Sequence, residues 1–331
     1  MSRIIAAVWK KAVLFVCLLF FTGQSFYAQS GWKTVKSGSP GDLVAVYFTS
    51  AERGFVAGDK GFLAQTNDGG ETWTKQSIGT TDDINEIYFR NDDNGYVVAG
   101  RKMFSTNDGG RVWREIKIYN PKDFRNAAPT FLSVRFADKK RGFIVGSLLD
   151  KEGDVVDSLL MRTDNGGESW ARIIVPSKLE LFHLDFTGSS RGWIVGDKGL
   201  ILMTQDGGIN WFAQNSRTDK TLYNVDFRDA SEGYAVGGNR GVGVILRTED
   251  GGETWETVAT KFSKTFLRVN FADDKNGWIV GYGGTILRSN DRGRSWILQD
   301  SDTKDHLYGL FMMKKIGWAV GAKGSIVQYQ R

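Results

Sequence analysis

One motif recurs at a nearly fixed spacing, and it limits the fold more strongly than anything else in the chain. "TNDGGETW" ends at Trp73, "TNDGGRVW" at Trp113, "TDNGGESW" at Trp170, "TQDGGINW" at Trp211, "TEDGGETW" at Trp255 and "SNDRGRSW" at Trp296. A catalytic site is normally built once, so repetition in register reads as architecture. With Trp32 included, the tryptophans are separated by 41, 40, 57, 41, 44 and 41 residues. Between boxes the order is constant: an alternating stretch, a short loop, Gly-aromatic-x-Val-Gly or a variant, and an apolar pair. The second unit reads "INEIYF", "NGYVVAG", "KMFS", "TNDGGRVW". Four short runs at period two fit four antiparallel strands. A four-stranded unit repeated about every 40 residues is a β-propeller blade.

Blades are counted from the Gly-aromatic pairs at Gly54, Gly95, Gly142, Gly192, Gly233, Gly277 and Gly317, which makes seven. The last unit stops at "GSIVQYQR" after three strands, while "GWKTVKSG" near the N-terminus is an orphan carrying the Trp of a fourth. The expected fold is therefore all-β: a seven-bladed β-propeller of four-stranded antiparallel blades, one domain over residues 29–331, its last blade closed by the N-terminal strand. Such closure leaves the ring no unpaired end. In each box the side chain of Asp68, Asp108, Asn165, Asp206, Asp250 or Asp291 accepts turn N–H groups, and a glycine supplies positive φ. Trp73, Trp113, Trp170, Trp211, Trp255 and Trp296 start the outermost strands. Each box offers too few oxygens for a calcium shell.

Residues 1–28 read as a secretory signal peptide: Arg3, Lys10 and Lys11 without an acid, the apolar run "AVLFVCLLFF", then small and polar residues. The preferred cleavage follows Ala28, with Ser25 as the alternative, and the expected location is periplasmic or secreted. Removing this segment lowers the formal charge from +5 to +2, which weakens any argument for nucleic acid. It also removes Cys17, the only cysteine, whose preceding "LFV" is a poor lipidation signal. A disulfide, a zinc–thiolate site and a thiol nucleophile are then excluded. With His183 and His306 as the only imidazoles, a His-based metal site is improbable too. No cofactor or metal is expected.

The "GWIVG" segments at 192–196 and 277–281, joined to the Asp-boxes, make the chain resemble the photosystem II stability/assembly factor family over about residues 31–331. The resemblance implies a non-enzymatic, exported propeller that binds a client membrane or envelope protein. A monomeric ring, peripheral to a membrane, accords with it.

Three features mark candidate binding surfaces. The long segments 117–130 and 147–158 are expected to project side by side from one face, where binding tends to reside on loops. On that face the loops between second and third strands carry Lys60, Arg101, Lys102, Lys151, Lys198, Arg240 and Lys323, a ring of cations suited to an acidic partner. The innermost strands "LVAVYF", "INEIYF", "FLSVRF", "LFHLDF", "LYNVDF", "FLRVNF" and "LYGLFM" are apolar at their first, fourth and last positions. Their third and fifth positions are mixed, with Tyr47, Glu86, Tyr88, Arg135, His183, Asp185, Asn224, Asp226, Arg268 and Asn270 on one side of each strand, towards the channel or an inter-blade groove. These residues either form a binding ring or neutralise one another around a wet axis. As a binding site, Arg135 and Arg268 should tolerate reversal to Glu without loss of folding.

The competing readings are a cell-surface glycan binder, which calls for exposed aromatics around the channel mouth, and a sialidase-like glycoside hydrolase. The hydrolase requires Asp185 and Asp226 to meet across the axis with one carboxyl pKa raised. A sialidase clamp also needs three convergent arginines, and the inner strands supply two. The balance favours a binding protein that is not an enzyme.

Overall fold

The computed structural model describes residues 31–124 and 127–330. The expected signal peptide and cleavage site lie outside these residues. Seven separate four-stranded antiparallel sheets are present, each running from an inner to an outer strand in chain order. The exception is the last blade, whose outermost strand is Trp32–Lys36, paired with Ser325–Gln330 from Trp32↔Tyr329 to Lys36↔Ser325. Each inner strand packs beside that of the next blade, and Leu307–Met312 returns to Leu43–Phe48 to close the ring. Among the described residues no helix is long and apolar enough to cross a membrane.

The Asp-boxes are turns, built alike. In "TNDGGETW" the second glycine N–H donates to Thr66 Oγ1 at 2.9 Å and the Thr72 N–H donates to Asp68 Oδ1 at 2.9 Å. Asn165 does the same work with an amide oxygen, accepting from Ser169 N at 3.0 Å. The paired glycines 69 and 70 both have positive φ, and in the sixth box Arg292 occupies the first of these positions at φ 63. Hydrogen bonding to Thr72 holds the Asp68 carboxyl down at about 2, so the box stays ionised at any ordinary pH.

Blades are joined by aromatic stacking. In six of the seven blades the ring after the strand-opening glycine stacks on an aromatic at the end of the next blade's inner strand, as in Phe55 on Phe89 (4.9 Å), Trp193 on Phe227 (3.4 Å) and Trp318 on Phe48 (3.4 Å), and in the sixth Trp278 packs in one cluster with Met312. The Asp-box Trp of that next blade then meets the pair edge-on, as Trp113, Trp255 and Trp73 do. Every seam is therefore a buried apolar layer, including the one between the last blade and the first.

Two sequence expectations need correction here. Most of 147–158 is strand rather than loop: Gly142–Leu149 and Val155–Thr163 continue pairing through Ser147↔Ser158 and Leu148↔Asp157, leaving a turn at 150–154. The paired apolar residues Leu148-Leu149 and Val155-Val156 extend the ladder, while the segment's four acids disguise it. The 117–124 segment is likewise packed rather than free, since Ile118 and Phe124 are buried and Tyr119 rests on Phe131.

Candidate functional site

Every inner strand contains one extra residue at its second position. Pairing skips from Leu43 to Ala45, from Ile84 to Glu86, and equivalently in all seven blades. The bulge is held by close backbone contact: a Cβ on Gly237 would lie 1.9 Å from the Thr221 carbonyl oxygen, and one on Gly321 would lie 1.9 Å from that of His306. Its effect is to divide the axis into a mouth and a chamber.

The chamber, about 280 Å³, is lined by the third and fifth positions, as alternation requires. It brings Arg135, His183, Asp185, Asp226 and Arg268 together with Tyr47, Glu86 and Tyr88. Most of these polar groups serve the neighbouring blade. Inner strands have an unpaired edge at the axis, and side chains satisfy it: Glu86 accepts from Val134 N at 2.8 Å, Asp185 from Phe227 N at 2.8 Å, Asn224 from Val269 N at 2.9 Å, Asp226 from Phe271 N at 3.2 Å and Asn270 from Met312 N at 2.8 Å. Tyr47 donates to Phe89 O at 2.8 Å.

The two inner arginines differ. Arg135 pairs with Glu86 at 2.8 Å, donates to Val134 O, meets His183 Nε2 at 2.9 Å and covers the Tyr88 ring. Burial would raise the Glu86 carboxyl, but Arg135 and then His183 hold it well below the usual range. Reversing Arg135 to Glu would put a carboxylate against Glu86, so the expectation that folding tolerates that change does not survive. Arg268 donates only to Leu267 O, at 3.0 Å. Among the described residues it has no carboxylate partner.

Asp185 and Asp226 do not face each other across the axis. They stand on successive blades, in Leu181–Thr187 and Leu222–Phe227, each tied to the following one. Burial lifts Asp185 to about 6, and burial with the adjacent Asp185 charge lifts Asp226 to about 7. An acid–base pair needs its two pKa values pushed apart. Here both move upward.

That displacement has a stability consequence. Unfolded carboxylates titrate near 3.9, so between about pH 4 and 7 the folded chain binds more protons at these sites and their contribution falls as pH rises. His183 works oppositely: burial and Arg135 lower it to about 4, the unfolded ring titrates near 6.5, and its contribution rises with pH over that window. Asp226→Asn keeps the acceptor for Phe271 N and removes one buried charge. Thermal melts should show it more stable than the parent at pH 8, by a few degrees, with the gain fading towards pH 4. Each unit of displacement is worth about 1.4 kcal/mol.

The mouth is a cavity of about 330 Å³ whose lining residues were not anticipated from sequence. It is lined by the bulged residues Val44, Asn85, Leu132, Phe182, Tyr223, Leu267 and Tyr308, with Asp42, Asp59, Tyr282 and Arg268. Phe182 and Tyr223 rings are 5.2 Å apart, and Tyr282 stacks on His306 at 4.5 Å. A signal existed in the strands: apolar first and fourth positions have opposite parity, which a two-residue period permits only if a residue is inserted between them.

The cationic loops surround this mouth but are not uniformly positive. Lys102 pairs with Asp82 at 3.2 Å, and Lys323 pairs with Asp305 at 2.9 Å while its backbone N–H donates to Asp42. Lys60 and Lys198, in 3₁₀ turns at positive φ, follow Asp59 and Asp197. Among the described residues Lys60, Arg101, Lys198 and Arg240 make no ion pair. Beside the mouth lies a groove of about 1290 Å³ between Asp82, Arg101, Lys102, Ile116–Tyr119, Leu132 and Leu149.

A family model described as "Photosynthesis system II assembly factor YCF48" matches residues 24–86, 77–180, 175–261, 211–296 and 259–330. The photosystem II assembly lipoprotein Ycf48 of Synechococcus sp. (strain CC9902) is 28% identical over 181 residues, a match covering 52% of this chain and about half of that protein, 48%. Among solved structures, YCF48 bound to D1 peptide superposes with a TM-score of 0.73 at 21% identity, covering 91% of this chain and 97% of that one. Virginiamycin B lyase from Staphylococcus aureus superposes at 0.72 with 12% identity, over 91% and 99%. The ring is thus shared with enzymes.

Proposed function

Because the chain belongs to the photosynthesis system II assembly factor YCF48 family, we propose that it is a non-enzymatic, exported propeller that holds a segment of a partner protein during assembly of a membrane or envelope complex. The observation that carries this reading is the division of the axis. The chamber carboxylates Glu86, Asp185 and Asp226 are occupied in bracing neighbouring blades, while half-buried Phe182, Tyr223 and Tyr308 line the mouth. A rigid concave rim of aromatic and aliphatic side chains suits an extended polypeptide. The solved relative bound to D1 peptide supports a peptide ligand for this architecture. Lys60, Arg101, Lys198 and Arg240 would form the outer rim and favour acidic flanking residues. Export rests on residues 1–28, and the chain acts as a single ring.

Exposed aromatics around the mouth are also what a glycan binder needs. The aliphatic share of the rim, Val44, Leu132 and Leu267, offers sugar hydroxyls no partners and favours the peptide. The test is crosslinked capture from the native envelope fraction with the mature chain, set against a Phe182→Ser/Tyr223→Ser variant that melts normally. One membrane protein captured by the parent and lost from the variant is the expected result. Equal capture by both would overturn the site, and capture of polysaccharide alone would transfer it to glycan.

A further inference from the structure

Four blades join their second and third strands by the same three-residue 3₁₀ turn, at 59–61, 197–199, 282–284 and 322–324. In each the middle residue has positive φ, and in three its N–H is received by the residue just before the next inner strand. Lys60 N–H donates to Asp83 Oδ1 at 2.8 Å, and Lys323 N–H donates to Asp42 Oδ1 at 2.9 Å. The sixth blade exchanges both partners. Gly283 stands where the others carry lysine, and its N–H donates to His306 Nδ1 at 2.9 Å. A ring nitrogen that accepts a hydrogen bond carries no proton, so this contact exists only with neutral imidazole. The carboxylates of the other turns keep their acceptors through the range, between about pH 5 and 8, in which histidine ordinarily changes charge.

The surroundings leave a charge at this position unopposed. The exposed His306 ring stacks on Tyr282 at 4.5 Å and meets Tyr308 edge-on at 6.2 Å. Burial first, and then Asp42, pushes Tyr308 up to about 12, so its ring stays neutral. Asp305, the neighbouring acid, is engaged by Lys323 at 2.9 Å and by Ser325 at 2.8 Å, and Asp42 by the Lys323 N–H. On the other side Lys264 reaches the turn, its Cε 3.9 Å from where a side chain on Gly283 would begin. Among the described residues His306 makes no ion pair. Protonation would therefore free the Gly283 N–H as a donor and place a cation at the one such turn whose middle residue is not lysine, beside Tyr282 in the mouth lining. We propose that His306 is a proton-operated member of the rim, so that an acidic partner segment is held more tightly at the mouth in acid than in base. This rests on the peptide-binding reading above and adds its regulation.

The first measurement is the amide NMR spectrum of the mature chain, titrated from pH 8 to pH 5. The Gly283 amide should move with the His306 ring, while the Lys60 and Lys323 amides, held by carboxylates, should not. The ring signals are separable, because the chain has two histidines and burial holds His183 down at about 4. Binding is then read with a decapeptide of alternating Leu and Asp, blocked at both ends, and with its Leu–Ser counterpart. The acidic peptide should bind about three- to fivefold more tightly at pH 5.5 than at pH 8, the scale of an exposed ion pair, and the Leu–Ser peptide should not change. His306→Asn keeps an acceptor for the Gly283 N–H and cannot titrate. It should match the parent at pH 8 and show no gain in acid. A gain that survives in His306→Asn would belong to the chamber carboxylates and overturn the proposal, as would a Gly283 amide that ignores the His306 ring. Equal binding of the acidic peptide at both pH values overturns the regulation and leaves the peptide-binding reading standing. Failure of both peptides to bind at any pH, with a normal Gly283 titration, overturns that reading and the regulation with it.

Discussion

Arg135→Glu is expected to destabilise the ring by about 3–5 kcal/mol, the usual consequence of breaking a buried ion pair from one side. The magnitude follows from what Arg135 holds. It neutralises Glu86 at 2.8 Å, and that carboxylate in turn accepts the Val134 N–H at the edge of the next inner strand. Reversal leaves two carboxylates in contact, with Asp185 sharing the chamber. Glu86→Gln in the same chain should recover part of the loss, because it removes one of the opposed charges and keeps an acceptor. Arg268→Gln is expected to melt within a degree or two of the parent, since no pair is broken there. Equilibrium denaturation of the four chains measures all of this, and an Arg135→Glu chain as stable as the parent would show that the chamber does not brace the blades.

The second large effect lies at the closure. Trp32 is 2% exposed, stands 5.3 Å from Tyr329, and donates through Nε1 to Gln299 Oε1 of the preceding blade at 3.1 Å. Thr34 bonds to Asp302 in the connection that leaves that blade. The strand therefore completes the last sheet and fastens it sideways. Trp32→Ala should cost about 3–5 kcal/mol, which at roughly 2–4 °C per kcal/mol lowers the melting temperature by about 10 °C. Deleting residues 31–36 should do more, baring the edge of Ser325–Gln330 and driving self-association visible by size-exclusion chromatography. A deletion chain that stays monomeric with an unchanged melt would mean that the ring does not depend on this strand.

Blade number, box chemistry and closure were legible because each depends on local rules: a two-residue period, a turn with fixed residue types, and an orphan Trp32 that had to pair somewhere. The mouth was not. Reading "LYNVDF" as strict alternation assigns Tyr223 to a face it leaves at the bulge, and the resulting aromatic rim goes unseen. Arg135 and Arg268 look equivalent in sequence because their difference resides in Glu86, a whole blade away in the chain. The cation ring was overstated for the same reason. Asp82 and Asp305, which pair with Lys102 and Lys323, come from the connections leading into the following strands rather than from the cationic loops.

The central claim is that partner recognition occurs at the channel mouth. Its most direct test is site-specific photo-crosslinking in the native envelope, with the reactive side chain placed in turn at Tyr223 in the mouth, Phe212 on the outer edge and Val112 in an Asp-box turn. One discrete protein adduct is expected from Tyr223 and none from the other two. Adducts of equal yield from all three positions, or from Val112 alone, would contradict it.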